Sequence, residues 1–163
     1  MKTAVYSGSF NPLHIGHLAI IRHLTEEAGF DSVYLIVSPK NPLKDGISAD
    51  SGEERYKAAK DAVNRHFGLN SSKVKVDDIE LNMPEPHYTI RTLDALRERE
   101  PENSFTLTIG ADNLAGFRRW RDLEGLDGFV ILFAAEVYLA QLFPVEGRVG
   151  VDVEQAATLY TAP

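Results

Sequence analysis

Two histidines near the amino terminus have a spacing that suits phosphate binding. His14 and His17 are three residues apart, and apolar residues at helical intervals follow them. Residues at this separation lie on one face of a helix, so both imidazoles should project from the same side of its first turn. The amino end of a helix offers unpaired N–H groups and partial positive charge to an anion. Two imidazole donors at this place therefore predict a polyphosphate site.

A short loop of small residues leads into this helix. Gly8, Ser9 and Phe10 follow residues 3–7, an apolar run typical of a buried strand. Small residues let backbone N–H groups approach a ligand, and Gly16 leaves space where a large ligand would press on the helix. Histidine pairs at this spacing often only cap a helix or face solvent. The whole string from Gly8 to His17 carries the prediction, rather than the pair alone.

The rest of the chain alternates between strand-like and helix-like apolar patterns. Strands are predicted over residues 3–7, 33–37, 74–81, 105–109 and 129–133. Helices are predicted over residues 14–28, 51–67 and 89–98, with Gly29 and Gly68 ending the first two, and a short helical region from 110 to about 126. This rhythm predicts an α/β fold, a Rossmann-like doubly wound parallel sheet with helices on both faces. Ligands bind beyond the carboxyl ends of such strands, so the loops at Gly8, Pro39 and Gly110 should share one edge.

Composition narrows the class of protein. The 163 residues are expected to form a single domain over residues 1–163, and their net charge of -7 disfavours nucleic-acid binding. The absence of cysteine excludes disulfide scaffolds and thiol nucleophiles. The first ten residues do not read as a signal peptide, and the longest apolar run, 129–135, is too short to cross a membrane. A cytoplasmic protein without a membrane partner is expected, and homo-oligomerisation stays open.

Four segments, in order, resemble motifs of the bacterial nicotinate (or nicotinamide) mononucleotide adenylyltransferases, members of the HxGH nucleotidyltransferase superfamily. Residues 8–17 resemble GxFxPxHxGH, and residues 37–44 resemble an SPxNPxK loop. Residues 86–93 are similar to PSYTxDTL, with His87 and Arg91 at positions that usually hold a small residue and an acid. Residues 109–122 resemble IGADxxxxFxxW. Together these motifs cover residues 1 to about 126.

The resemblance implies an enzyme that transfers AMP from ATP to nicotinate mononucleotide, giving deamido-NAD and pyrophosphate in NAD biosynthesis. The attacking 5′-phosphate is already ionised, so the reaction needs neither a general base nor a covalent intermediate. Catalysis is then positioning plus neutralisation of charge on the triphosphate. Mg²⁺ is expected to be bound through the ATP phosphates, with no metal ligands from the protein.

The resemblance also assigns roles to individual residues. His14 and His17 would be the catalytic residues. Contacts to ATP and its phosphates fall on Gly8, Ser9, Phe10, Gly16, Lys40, Lys44, Gly110 and Asp112. Contacts to the pyridine mononucleotide fall on Thr89, Asn113, Trp120 and Arg121. Trp120 would stack on the pyridine ring, and the Arg121 cation would favour the carboxylate of nicotinate over a neutral amide.

Some of these residues have a purely structural alternative. Phe10 and Trp120 could be core residues, Thr89 and Asp112 could be helix caps, and the two lysines could be solvated. The family also normally ends with an ISSTxxR motif, whereas residues 157–163 resemble the segment just before it, so we expect the domain to lack that motif. Two other functions stay open. One is another HxGH enzyme, a phosphopantetheine adenylyltransferase or a cytidylyltransferase, and the other is a nucleotide-binding protein without turnover.

Overall fold

The computed structural model describes residues 1–39, 51–69, 71–109 and 130–133. Strands and helices follow one another along the chain as the sequence predicts. The elements are β1 (Lys2–Gly8), α1 (Ile15–Glu26), β2 (Ser32–Val37), α2 (Gly52–Phe67), β3 (Val74–Asp77), a 3₁₀ turn (Ile79–Asn82), α3 (Thr89–Arg99), β4 (Ser104–Ile109) and β5 (Val130–Phe133). No helix among these described residues is long and apolar enough to cross a membrane.

The five strands within the described residues form one parallel sheet in the order β3-β2-β1-β4-β5. From β1 the chain adds β2 and then β3 on one side, and it afterwards adds β4 and β5 on the other side of β1. The switch point therefore lies between β1 and β4. Gly8 pairs with Val37 and Tyr6 pairs with Thr108, which brings the carboxyl ends of β1, β2 and β4 to one edge. The predicted doubly wound sheet is confirmed, and the switch point is where such sheets bind ligands.

Helices cover both faces of the sheet. One face carries Ala4 and Tyr6 of β1 and packs against Ile21 of α1 and Ala59 of α2 in a single apolar cluster. The opposite face carries the other set of alternating residues. There the Tyr34 hydroxyl donates to the Glu100 carboxylate immediately after α3, at 2.8 Å. Because residues one apart in a strand face opposite ways, α3 lies across the sheet from α1 and α2.

Two predicted boundaries were wrong for local reasons. The third strand ends at Asp77, not at residue 81, because the Asp77 carboxylate accepts a hydrogen bond from the Ile79 N–H at 3.0 Å and turns the chain into the 3₁₀ segment. The first helix ends at Glu26, earlier than predicted. Gly29 does adopt the left-handed conformation, with φ 77°, but in the turn beyond the helix cap. The helical region predicted after Gly110 lies outside the described residues.

Candidate active site

The loop after β1 is shaped by its phenylalanine. Phe10 has φ 44°, a conformation that costs a non-glycine residue energy, and its ring is buried. The ring packs edge-on against Tyr6 and His17, with centroids 5.5 Å and 5.1 Å away. A Cβ on Gly8 would lie 3.2 Å from this ring, so glycine there permits the packing. The core role considered for Phe10 is therefore real, and it fixes the backbone where the phosphates were predicted to bind.

The two predicted catalytic histidines lie side by side at the amino end of α1. His14 is the N-cap, and its Nδ1 accepts from the Gly16 N–H at 3.1 Å. His17 Nδ1 accepts from the His14 N–H at 3.0 Å, which completes a reciprocal capping box. Their rings stack with centroids 3.6 Å apart. The two imidazoles thus share one face of the first turn, as their spacing predicted.

The capping bonds determine what the imidazoles can offer to a ligand. An Nδ1 atom that accepts a hydrogen bond carries no hydrogen, so in the neutral ring the hydrogen is on Nε2. In both rings, Nε2 is therefore the nitrogen that takes no part in the capping box. The capping role and the phosphate-binding role were alternatives at the level of the sequence. The structure shows the capping role, which is compatible with phosphate binding because it leaves Nε2 of each ring as the protonated nitrogen.

Gly16 has a clear steric reason to be glycine. A Cβ at this position would lie 3.0 Å from His14 Cε1 and 3.1 Å from His14 Nδ1. Such approaches are tighter than ordinary packing tolerates, so a side chain there would displace the imidazole of His14. The sequence suggested that Gly16 makes room for a ligand. The structure shows that it first makes room for the ring of His14.

A basic residue that the motifs did not single out joins the loops after β1 and β2. Arg55 of α2 is only 4% exposed. Its Nη1 donates to the Ser9 carbonyl at 2.6 Å and to the Ser38 carbonyl at 2.7 Å, and its Nη2 donates to the Pro39 carbonyl at 2.8 Å. A signal for it was present, because Arg55 shares the buried face of α2 with Ala59 and Val63. A charged residue on the apolar side of a helix needs a buried partner.

Glu80 is a second buried charged residue near this edge, and the sequence analysis took it for part of a strand. The Thr92 hydroxyl of α3 donates to Glu80 Oε1 at 2.8 Å. Burial raises the pKa of the Glu80 carboxyl above its usual range, against the opposing effect of hydrogen bonds from Thr92 and Ser38. Glu80 thus connects α3 to the loop that follows β2.

Thr89 begins α3, but it is not the helix cap. Tyr88 occupies the N-cap position, so the capping alternative considered for Thr89 is wrong. Before the helix, His87 Nε2 lies 2.8 Å from the Met83 carbonyl, and Arg91 Nη1 donates to the Pro86 carbonyl at 2.6 Å. The two residues that depart from the PSYTxDTL pattern therefore hold the loop through its own backbone.

Seven of the predicted site residues lie outside the described part of the chain: Lys40, Lys44, Gly110, Asp112, Asn113, Trp120 and Arg121. Those within it that belong to the first motif, from Gly8 to His17, come together at the carboxyl end of β1. Within the described ranges there is no group of three or more acidic, histidine or cysteine side chains that could hold a metal ion.

Comparison with known proteins agrees with this geometry. The family model described as cytidylyltransferase-like matches residues 5–147. The chain therefore belongs to the cytidylyltransferase-like family, a class of nucleotidyltransferases.

Its curated relatives are more specific. The chain is 36% identical over 139 residues to a Flavobacterium johnsoniae protein named "Probable nicotinate-nucleotide adenylyltransferase", covering 85% of this chain and 67% of that protein. It is 42% identical over 124 residues to a Bacteroides thetaiotaomicron protein of the same name, covering 76% and 59%. The resemblance drawn from the four motifs is thereby confirmed. The chain spans about three fifths to two thirds of the length of these relatives.

A solved structure supports the fold. Plasmodium falciparum nicotinic acid mononucleotide adenylyltransferase, solved in complex with NaAD, matches with a TM-score of 0.67 at 17% identity. The match covers 95% of this chain and 82% of that one. At this identity the likeness speaks for the shared architecture.

Proposed function

We propose that this protein is a nicotinate-nucleotide adenylyltransferase, which transfers AMP from ATP to nicotinate mononucleotide and releases deamido-NAD and pyrophosphate in NAD biosynthesis. The observation that carries the proposal is the stacked pair His14 and His17. The pair caps α1 beside the Gly8–Phe10 loop, at the switch point of the sheet. The chain as a whole belongs to a nucleotidyltransferase family. The names of the curated relatives supply the substrate.

The reaction requires the protein mainly to position the two substrates and to neutralise charge on the triphosphate. The 5′-phosphate of the mononucleotide attacks the α-phosphorus of ATP, and the bond to the leaving pyrophosphate breaks. Charge grows on the leaving group, and in this proposal the Nε2–H donors of His14 and His17 stabilise it together with the partial charge of the α1 amino end. The attacking phosphate is ionised at neutral pH, so no side chain has to remove a proton from it.

A divalent metal with ATP is general in nucleotidyltransferases, and we propose Mg²⁺ here. The donor set at the start of α1 consists of imidazoles and backbone amides, which suit phosphate oxygens rather than a hard cation. That chemistry fits a metal held mainly by the ATP phosphates, where it would offset their charge. The roles assigned to Lys40, Lys44, Gly110 and Asp112 toward ATP remain part of this proposal. So do those of Thr89, Asn113, Trp120 and Arg121 toward the pyridine mononucleotide.

Pyrophosphate release tests this function directly. The protein is offered Mg-ATP with nicotinate mononucleotide, nicotinamide mononucleotide or phosphopantetheine in parallel reactions. Turnover with nicotinate mononucleotide above the other two is the expected result. Turnover with phosphopantetheine instead would contradict the assignment in favour of another HxGH enzyme. Binding of ATP and the mononucleotide without pyrophosphate release would identify a nucleotide-binding protein without turnover.

A further inference from the structure

The side chain of Arg55 joins two loops through their backbone. Three hydrogen bonds of its guanidinium end on the carbonyl oxygens of Ser9, Ser38 and Pro39. Ser9 is in the loop that follows β1, and the other two residues follow β2. We infer that Arg55 is a positioning residue, which sets the backbone of the phosphate-binding loop and holds the neighbouring loop against it. This inference rests on the proposed function, because that function makes the first loop a phosphate site.

The Ser9 carbonyl shares a peptide unit with the Phe10 N–H. The unit is planar and trans, so the two groups point in opposite directions. When Arg55 draws the Ser9 oxygen toward its guanidinium, the Phe10 N–H is turned away from it. Phe10 also has the positive φ of a left-handed residue, a backbone form in which successive N–H groups can converge on an anion. Arg55 thereby orients an amide donor that it does not touch.

The second half of the contact ties down the loop after β2. The Ser38 N–H donates to the Gly8 carbonyl at 3.0 Å, so the two loops already meet by one backbone hydrogen bond. Arg55 adds bonds to the carbonyls of Ser38 and Pro39. A planar guanidinium has donors at fixed angles and can serve these acceptors at once, whereas the single ammonium of a lysine holds a looser geometry.

The start of α2 gives Arg55 a rigid base. Ser51 and Glu54 form a capping box that fixes the first turn. A Cβ on Gly52 would lie 2.7 Å from Leu81 Cδ2 and 3.3 Å from Pro39 Cα, so the turn is packed closely against the 3₁₀ segment and the loop. Because this helix turn is held firmly, the guanidinium that it carries can fix the position of the two loops. This separates Arg55 from an ordinary buried arginine, whose removal would lower stability everywhere alike.

The test uses the full chain and Mg-ATP as the probe. Arg55→Met removes the donors, Arg55→Lys keeps the charge, and Arg65→Met is the control. Arg65 lies on the same helix and is exposed, and its Nε donates to the Asp61 carbonyl one turn earlier. Backbone NMR of the nucleotide-free protein measures the order parameter at the Phe10 amide and at core strand amides. Calorimetry measures the affinity for Mg-ATP, well below each variant's melting temperature.

We expect Arg55→Met to weaken Mg-ATP binding about tenfold to a hundredfold, the loss typical of charged hydrogen bonds. Arg55→Lys should show a smaller loss, and Arg65→Met none. The order parameter at Phe10 should fall more than those of the core strands. An unchanged affinity and an unchanged Phe10 order parameter in both Arg55 variants would overturn the inference. So would an equal fall at Phe10 and in the core, or failure of both variants to fold, since each assigns Arg55 to overall stability.

The outcome for the proposed function is read separately. Wild-type protein that binds Mg-ATP but releases no pyrophosphate with nicotinate mononucleotide contradicts the activity, while the binding data still decide the role of Arg55. Wild-type protein that binds no Mg-ATP contradicts the phosphate site itself. In that case the Phe10 order parameters of the nucleotide-free variants alone show whether Arg55 positions the loop.

Discussion

Two polar clusters in this protein use hydrogen bonds in opposite ways. In the first, at the carboxyl end of β1, the side chains of His14, His17 and Arg55 bond mainly to backbone groups. In the second, on the α3 face of the sheet, charged side chains bond to one another. There Asp77 accepts from Arg99 at 2.7 Å and 3.1 Å, and Arg99 also lies 3.0 Å from Glu100. The hydrogen bonds of the first cluster set the backbone conformation around the candidate site, whereas the charges of the second cluster neutralise one another.

The electrostatics of the second cluster show this neutralisation. Burial alone would raise the pKa of the Asp77 carboxyl, but hydrogen bonds and charge from Arg99 and Lys75 outweigh it and lower the pKa below its usual range. The hydrogen bond to Asp77 raises the pKa of Arg99 in return. Charges that are paired in this way exert little electrostatic attraction on a ligand. Polar residues whose partners are backbone groups are thus the better guide to the site, and variants of each cluster can test that rule.

The largest expected effect is on turnover, in the histidine pair. Asparagine is a good N-cap, so His14→Asn should keep α1 intact while losing the Nε2–H donor. His17→Ala loses both the donor and one capping bond. Each should lower the rate of pyrophosphate release about a hundredfold to a thousandfold, with a stability loss of about 1 kcal/mol or less. His66→Ala, at an exposed site on α2, is the control. Full rates in both variants would remove the histidines from the catalytic assignment.

The next largest effect is on stability, in the second cluster. Asp77→Asn keeps an acceptor for the Ile79 N–H but removes the charge that Arg99 and Lys75 face. Its free energy of unfolding at neutral pH should fall by about 1–3 kcal/mol, while turnover stays at the wild-type rate. Urea denaturation and the pyrophosphate assay measure the two quantities. A matching loss of turnover would place Asp77 in the site and break the contrast.

The pH dependence of this variant gives a second check. The pKa of Asp77 in the folded protein lies below its ordinary value of 3.8. A carboxyl with a lowered pKa stabilises the fold above its unfolded pKa and loses that contribution as the pH falls through the folded value. The stability difference between wild type and Asp77→Asn should therefore shrink as the solution is acidified. A difference that stays constant to low pH would show that the charge of Asp77 is not its source.

Alanine substitutions at two glycines distinguish a steric effect on the candidate site from a general effect on the backbone. Gly16→Ala places a methyl 3.0 Å from the His14 ring, so turnover should fall about tenfold. Stability should change little, because the helix preference of alanine offsets the weakened capping bond of His14. Gly68 has φ 91° with open space around its Cβ position. Gly68→Ala should cost about 1 kcal/mol of stability and leave turnover unchanged. Reversal of either pattern in melting and rate measurements would contradict the steric account of Gly16.

The sequence predicted the sheet, its helices and the loop from Gly8 to His17 because these depend on local patterns. Strand and helix periodicity is local, and the spacing of His14 and His17 fixes their common face. Contacts between residues that are far apart in the sequence could not be predicted from such patterns. Arg55 meets Ser9 only because α2 packs on β2 and β3, next to the loop that follows β1, and no spacing in the chain encodes that contact. Glu80 was read as strand because alternation continued past Asp77, and the turn that interrupts it depends on one side-chain hydrogen bond.

The smallest expected effect concerns the tyrosine of the second cluster at alkaline pH. Burial, together with the hydrogen bond to the Glu100 carboxylate and its charge, raises the pKa of Tyr34 to about 12 from 10.0. A raised pKa adds stability that is complete below the unfolded value and is lost as the pH rises through the folded one. Tyr34→Phe should lower the free energy of unfolding at pH 8 by about 0.5–1.5 kcal/mol, the net worth of a hydrogen bond. Between pH 10 and 12 the two proteins should converge, because ionised Tyr34 faces Glu100. Convergence in denaturation curves, with equal turnover at neutral pH, would confirm that this cluster's bonds serve the fold alone, whereas a change in turnover would tie it to the site.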